Sequence, residues 1–133
     1  MLPTWIDLAW LQQIVAIDAR EVLVTTLDEV YRSDPKRWRT GTGTAWDRRG
    51  RSVSCSSPKA VAWSITGAIG HAEATRGMAG GALAVAAVRH AMGIPPGSIA
   101  DWETAPNRTF ADVIEVLKVA VQEMAVMSAI DAP

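Results

Sequence analysis

Apolar positions along this chain recur mostly at helical spacing, with one interruption in the first half. Between 5 and 17, Trp5, Ile6, Leu8, Trp10, Leu11, Ile14, Val15 and Ile17 leave almost no polar face. A helix apolar on all sides is normally covered on all sides. Two readings are open for this one: contact with a partner or a second copy through Trp5, Trp10 and Ile14, or a terminal helix lying in a groove of its own domain. Asp18 and Glu21 then form a D-x-x-E capping box, which predicts a separate helix over 19–32. Leu23, Leu27, Val30 and Tyr31 supply its apolar face, Asp28 and Arg32 are spaced for an i,i+4 pair, and Asp34-Pro35 ends it.

From Trp38 to Cys55 the helical period stops and Gly, Thr and Ser take over. Asp47-Arg48-Arg49-Gly50 is a turn signal, and 42–46 with 51–55 can flank it as a short hairpin. Such a hairpin is marginal alone and must lie on the helices, with Trp38 or Trp46 as its anchor. Ser57-Pro58 reads as the start of a central helix over 58–76 with Gly77 as its C-cap. Ala62, Ser64, Gly67 and Gly70 are small enough to let neighbouring helices approach. Another helix is predicted over 79–92, stopped by Gly93 and Pro95-Pro96. A long loop follows, with a helical turn at 98–103 pinned by Trp102. Thr109 and Asp112 cap a last helix whose apolar positions Phe110, Val113, Ile114, Leu117, Val121 and Met124 keep a clean i, i+3, i+4, i+7 spacing. Residues 130–133 read as a tail. The pattern predicts a mainly α protein, a bundle of four to five helices with a small β-hairpin near 40–55.

Length and composition narrow this further. At 133 residues, 49% of them hydrophobic, the chain suits a single domain over 1–133 with one core. The longest apolar stretch, 79–88, is about half of the ~20 residues a membrane span needs. A lone Cys55 forms no internal disulfide, and the N-terminal stretch lacks the early positive charge of a secretory signal. The expectation is a soluble cytoplasmic protein with no membrane partner.

Charge is where the chain departs from an ordinary helical domain. The net charge is -1, yet seven of the thirteen Lys and Arg residues fall between Arg32 and Arg51, together with Trp38 and Trp46. A neutral total argues against a DNA-coating protein. A local patch of guanidinium groups beside aromatic rings can instead meet phosphates or an acidic protein surface. Within it, Arg48, Arg49 and Arg51 at the turn, with Arg39 and Trp46 as neighbours, are the candidate partner-binding residues. The plainer alternative is a solvated loop with both tryptophans turned inward.

Other chemistry is thin. Ser56-Ser57-Pro58-Lys59 matches the S-x-x-K motif of acyl-transferring enzymes, but its companion motifs are missing and helix capping accounts for the serine and proline. Gly41-Thr42-Gly43 is not followed directly by a helix start, as a phosphate-cradling loop requires. His71 and His90 lie on different predicted helices without metal-ligand spacing. His71 reads as a satisfied core histidine, and Cys55 has no activating partner nearby in sequence. Asp101, Glu103 and Arg108 flank Trp102 and read as ion pairs ordering the loop, with an acid/base site as the alternative. No catalytic residue, metal site or cofactor is expected.

The order of these motifs resembles a family of small uncharacterised proteins, a domain of unknown function found in bacteria and their phages. The resemblance runs from about Ala19 to Met124. It rests on Trp38 leading to Gly43, Ala45-Trp46-Asp47 and Gly50, then on Ala62-Trp63-Ser64-Ile65 with Gly67-Ala68. Finally Trp102 precedes Arg108-Thr109, Asp112-Val113 and Leu117. The family pattern places Asn-Asp after the loop tryptophan, where this chain has Glu103-Thr104. The resemblance implies a helical domain and a phage or mobile-element origin, and it brings no catalytic residues with it. The leading expectation is a non-enzymatic interaction module for a protein or nucleoprotein partner, such as an inhibitor of a bacterial defence complex. A homodimer through the N-terminal helix is compatible with it. Direct nucleic-acid binding by the Arg/Trp segment is one alternative, and a small enzyme using Cys55, His71 or the Asp101/Glu103 loop is another.

Overall fold

Ala16, Ala19, Val22 and Leu23 are buried along one stripe of the first helix, α1 (Leu8–Thr25). The structure, a computed structural model, describes residues 8–77, 79–93 and 99–129, with side chains from 15 to 128. The buried stripe runs straight through the predicted break at Asp18, so the two predicted N-terminal helices are one. A capping box contributes on the order of 1 kcal/mol, less than burying several aliphatic side chains. α1 continues into a π-helical turn, Thr26–Tyr31, where the Thr26 hydroxyl donates to the Val22 carbonyl at 2.8 Å. Arg32 and Ser33 then take left-handed conformations, with φ of 52° and 58°, and end the helix before Asp34-Pro35. Arg32 therefore does not extend the Asp28 face: its Nε donates to the Glu29 carbonyl at 3.0 Å, and the Glu29 carboxylate pairs with Arg76 at 3.0 Å.

A single 3-10 turn, Pro35–Arg37, leads into a small sheet of three two-residue strands. These are β1 (Ala45–Trp46), β2 (Ser52–Val53) and β3 (Ala62–Trp63), in the order β2-β1-β3 with both pairings antiparallel. The expected hairpin is present as β1 and β2, and β3 was not anticipated. Residues 58–63 are not helical. Val61 donates its N–H to the Trp46 carbonyl at 2.8 Å, and Ala62 and Trp63 pair with Trp46 and Ala45. The Ser57-Pro58 signal makes a turn instead, in which the Ser57 hydroxyl accepts from the Lys59 N–H at 3.1 Å.

Helix α2 (Ile65–Arg76) starts seven residues later than the expected start at Pro58. Ser64 is its N-cap, accepting from the Gly67 N–H at 3.2 Å, and Gly77 closes it at φ 61°. The small residues on α2 do permit close approach, but to the loop–sheet layer rather than to other helices. A Cβ at Gly67 would collide with the Thr44 carbonyl, and one at Gly70 would meet the Cys55 Sγ at 2.9 Å. Helix α3 (Gly81–Met92), the short α4 (Ile99–Glu103) and α5 (Phe110–Ala129) complete the fold. Reciprocal bonds between Thr109 and Asp112, at 3.0 and 3.2 Å, make the predicted cap of α5.

The protein is thus mainly helical, with a three-stranded antiparallel sheet at one side. α1, α3 and α5 pack against one another, while α2 packs on α1 and its π-helical extension. Tyr31, Leu23, Ile65, Ile69, Leu117, Val22 and Val113 are fully enclosed in one continuous core. Among the described residues no helix is long and apolar enough to cross a membrane. Trp5 lies outside the described residues. Trp10 and Ile14 fall on α1, with their side chains outside the described set.

Candidate functional site

The arginine turn is built around one carboxylate. Asp47 Oδ1 accepts the N–H groups of Arg49 and Arg51, each at 2.9 Å, and its Oδ2 accepts from Arg51 Nε at 3.1 Å. The Asp47 and Arg51 backbones close the hairpin at 2.9 Å, and Gly50 at φ 75° donates to the Asp47 carbonyl at 3.0 Å. This is a three-residue hairpin loop with glycine at the left-handed position. The Arg51 N–H holds the Asp47 carboxyl below its ordinary range; desolvation opposes it, and the Arg51 guanidinium and the Arg49 N–H add to the lowering. Asp47 is spent inside the turn, and the guanidinium groups of Arg48 and Arg49 are left to project outward.

Four cationic side chains converge here. Arg48, Arg49, Arg51 and Lys59 line a concavity of about 490 Å³, with Pro58 and Val61. Lys59 and Val61 arrive through the pairing of β3 with β1, a contact the local sequence does not announce. Arg39 lies beside them, its guanidinium 4.9 Å from the Trp46 ring centre and close against Gly50. Trp46 itself is buried, 4% exposed. Of the residues singled out in the sequence, Arg48, Arg49 and Arg51 therefore share one surface, Arg39 flanks it, and Trp46 supports Arg39 from below.

A second cluster is internal. Glu103, the last residue of α4, is only 4% exposed. Its Oε2 accepts from the Trp38 indole at 2.7 Å and from the Ile65 N–H at 2.9 Å. Ile65 opens α2, where unpaired N–H groups and the helix dipole favour a carboxylate. Burial still raises the Glu103 carboxyl above its ordinary value, opposed by the Trp38 and Ile65 hydrogen bonds. Tyr31 donates its hydroxyl to the Trp63 carbonyl at 3.1 Å. Burial, and then the charge of Glu103, push that phenol well above 10. Glu103 does not make the ion pair within its loop that the sequence leads one to expect. It instead joins three segments distant in sequence.

The remaining candidates separate. His71 Nδ1 lies 2.7 Å from the Cys55 carbonyl and its ring packs 4.9 Å from Trp63, so it is a satisfied, half-buried histidine. A carbonyl only accepts, so Nδ1 carries the proton. His90 faces Glu123 at 3.6 Å, on the edge of an open apolar groove of about 680 Å³ between α3 and α5 that Val119, Val126 and Met127 help to line. Arg108 stacks 3.7 Å over Trp102 and approaches Asp112 at 3.9 Å, while Asp101 is exposed. Ser56 and Lys59 sit on a turn rather than a helix start, which removes the geometry an S-x-x-K nucleophile needs. Among the described residues no three His, Cys, Asp or Glu side chains gather as a metal site would require.

Fold and site together define a small helical protein that presents an arginine turn from a sheet braced by a buried carboxylate. The chain belongs to DUF6197, a family of unknown function, which it matches over residues 13–123. The match begins within α1, ahead of the Ala19 boundary expected from the motifs, and takes in the arginine turn and the Trp38–Glu103–Ile65 cluster. No curated protein and no solved structure matches the chain.

Proposed function

We propose that this protein is a non-enzymatic interaction module that docks a protein or nucleoprotein partner through the face formed by Arg39, Arg48, Arg49, Arg51 and Lys59. The observation carrying this reading is the concavity lined by Arg48, Arg49, Arg51 and Lys59, whose one acidic member, Asp47, is bonded within its own turn. A surplus of positive charge held on a short, braced hairpin is suited to steering and orienting an acidic surface. The resemblance to small uncharacterised proteins of bacteria and their phages implies a phage or mobile-element origin, and with it the proposal extends to a cytoplasmic inhibitor of a bacterial defence complex.

The test is affinity capture from host cells with the tagged full chain and with the Arg48→Ala/Arg49→Ala/Arg51→Ala variant. Both should show the same helical circular dichroism, and a partner held by the parent should be lost from the variant. Equal recovery of the same partners by both proteins would refute the proposal. Capture of nucleic acid alone, with affinity falling steeply in salt, would favour direct nucleic-acid binding instead.

A further inference from the structure

The concavity mixes charge with an aliphatic contact. Val61, 38% exposed, sits with Pro58 among Arg48, Arg49, Arg51 and Lys59. Resting on the docking function above, we infer that the occupant is an acidic protein segment carrying an aliphatic side chain among its carboxylates. The guanidinium forks take carboxylates in paired hydrogen bonds, and Val61 with Pro58 offers the aliphatic residue a place between them.

Three observations choose a protein segment over a nucleic acid. The nearest tryptophan provides no stacking platform: Trp46 is 4% exposed and Arg39 covers its ring at 4.9 Å. Strand binding without sequence preference depends on such aromatic platforms along a charged track. Trp63 is buried, 3% exposed, and half-buried Trp38 packs beside Phe110 with its indole N–H held by Glu103. The charge itself is local. Residues 32–59 hold eight of the thirteen Lys and Arg but only two of the fourteen Asp and Glu, so a polyanion running beyond the concavity meets an acidic molecule. A short acidic segment gains the attraction without the repulsion.

The experiment is an amide-resolved NMR titration of the full chain with three probes. These are the peptide Glu-Asp-Glu-Leu-Glu-Asp-Glu, its analogue with serine for leucine, and a thymidine oligonucleotide of equal charge. The leucine peptide should shift the amides of Arg48, Arg49, Arg51, Lys59 and Val61, and bind more tightly than the other two. Arg48→Glu/Arg49→Glu should weaken it by about tenfold or more. Val61→Ser should weaken the leucine peptide several-fold and leave the serine analogue unchanged. Equal binding of the two peptides, tighter binding of the oligonucleotide, shifts elsewhere on the protein, or no binding at all would each overturn the inference. If arginine-dependent capture of a host partner persists in those cases, the docking function stands and only the partner chemistry falls. If that dependence is lost, both fall.

Discussion

At the scale of single residues, Glu103 carries the most consequence. One carboxylate oxygen accepts from both the Trp38 indole and the first N–H of α2. Replacing it with alanine leaves the buried Ile65 N–H and the half-buried Trp38 indole without an acceptor, and the buried orphan alone costs about 1–3 kcal/mol. Glu103→Gln retains an amide oxygen as acceptor and should be milder, so urea denaturation should rank the variants parent, then Gln, then Ala. The charge adds a pH signature. The folded protein holds the Glu103 proton above the ordinary value of 4.5, so it binds that proton more tightly than the unfolded chain does. The stability this group adds is full below pH 4.5 and falls as pH rises through its folded pKa. Denaturation midpoints across that window should lose this downward component in Glu103→Gln; an unchanged profile would mean that Glu103 is ionised as readily in the fold as outside it.

Among elements, α2 shows how a strong local signal loses. Ser57-Pro58 carries both the serine and the proline of a strong helix start, yet the helix is capped by Ser64. Pairing of Val61, Ala62 and Trp63 with β1 consumes the residues that the earlier start would have made helical. Trp63 explains the outcome: buried to 3% exposure, it places its indole N–H on the Cys55 carbonyl at 3.2 Å and its backbone carbonyl under Tyr31. The caps can be told apart by mutation. Ser64→Ala should cost about 1 kcal/mol of unfolding free energy. Ser57→Ala, on an exposed turn, should stay within about 0.5 kcal/mol of the parent. A larger loss at Ser57 than at Ser64 would place the working cap at Ser57.

For the molecule as a whole, the separation of charge matters more than its total. A protein of net charge -1 and pI near 6.1 would ordinarily pass a sulfonate cation exchanger at pH 7. The face bearing Arg39, Arg48, Arg49 and Lys59 should retain this one at low salt. Arg48→Glu/Arg49→Glu should elute with the unbound fraction, and retention unchanged by that variant would show that the arginines do not form the dominant positive surface. A salt increase that shortens the Debye length to about 8 Å should release the parent as well.

The apolar period determined α5, and an alanine-rich run with its glycine stop determined α3, because each carries its own cap or stop within a few residues. The Asp47–Gly50 turn was equally legible, since an aspartate and a glycine at that spacing bond within the loop itself. So was the concentration of arginine, which needs only counting. The continuity of α1, the late start of α2 and the third strand were decided by tertiary contact, where burial of Ala19, Val22 and Trp63 outweighed caps worth about a kilocalorie. The same holds for the site. Sequence named Arg39, Arg48, Arg49 and Arg51, but the arrival of Lys59 and Val61 depends on β3 lying beside β1, and the burial of Trp46 goes with its place in the central strand under Arg39. Local chemistry writes turns and amphipathic helices. Which side chains meet across tens of residues is set by the packing that buries the most apolar surface while leaving every buried donor and acceptor a partner.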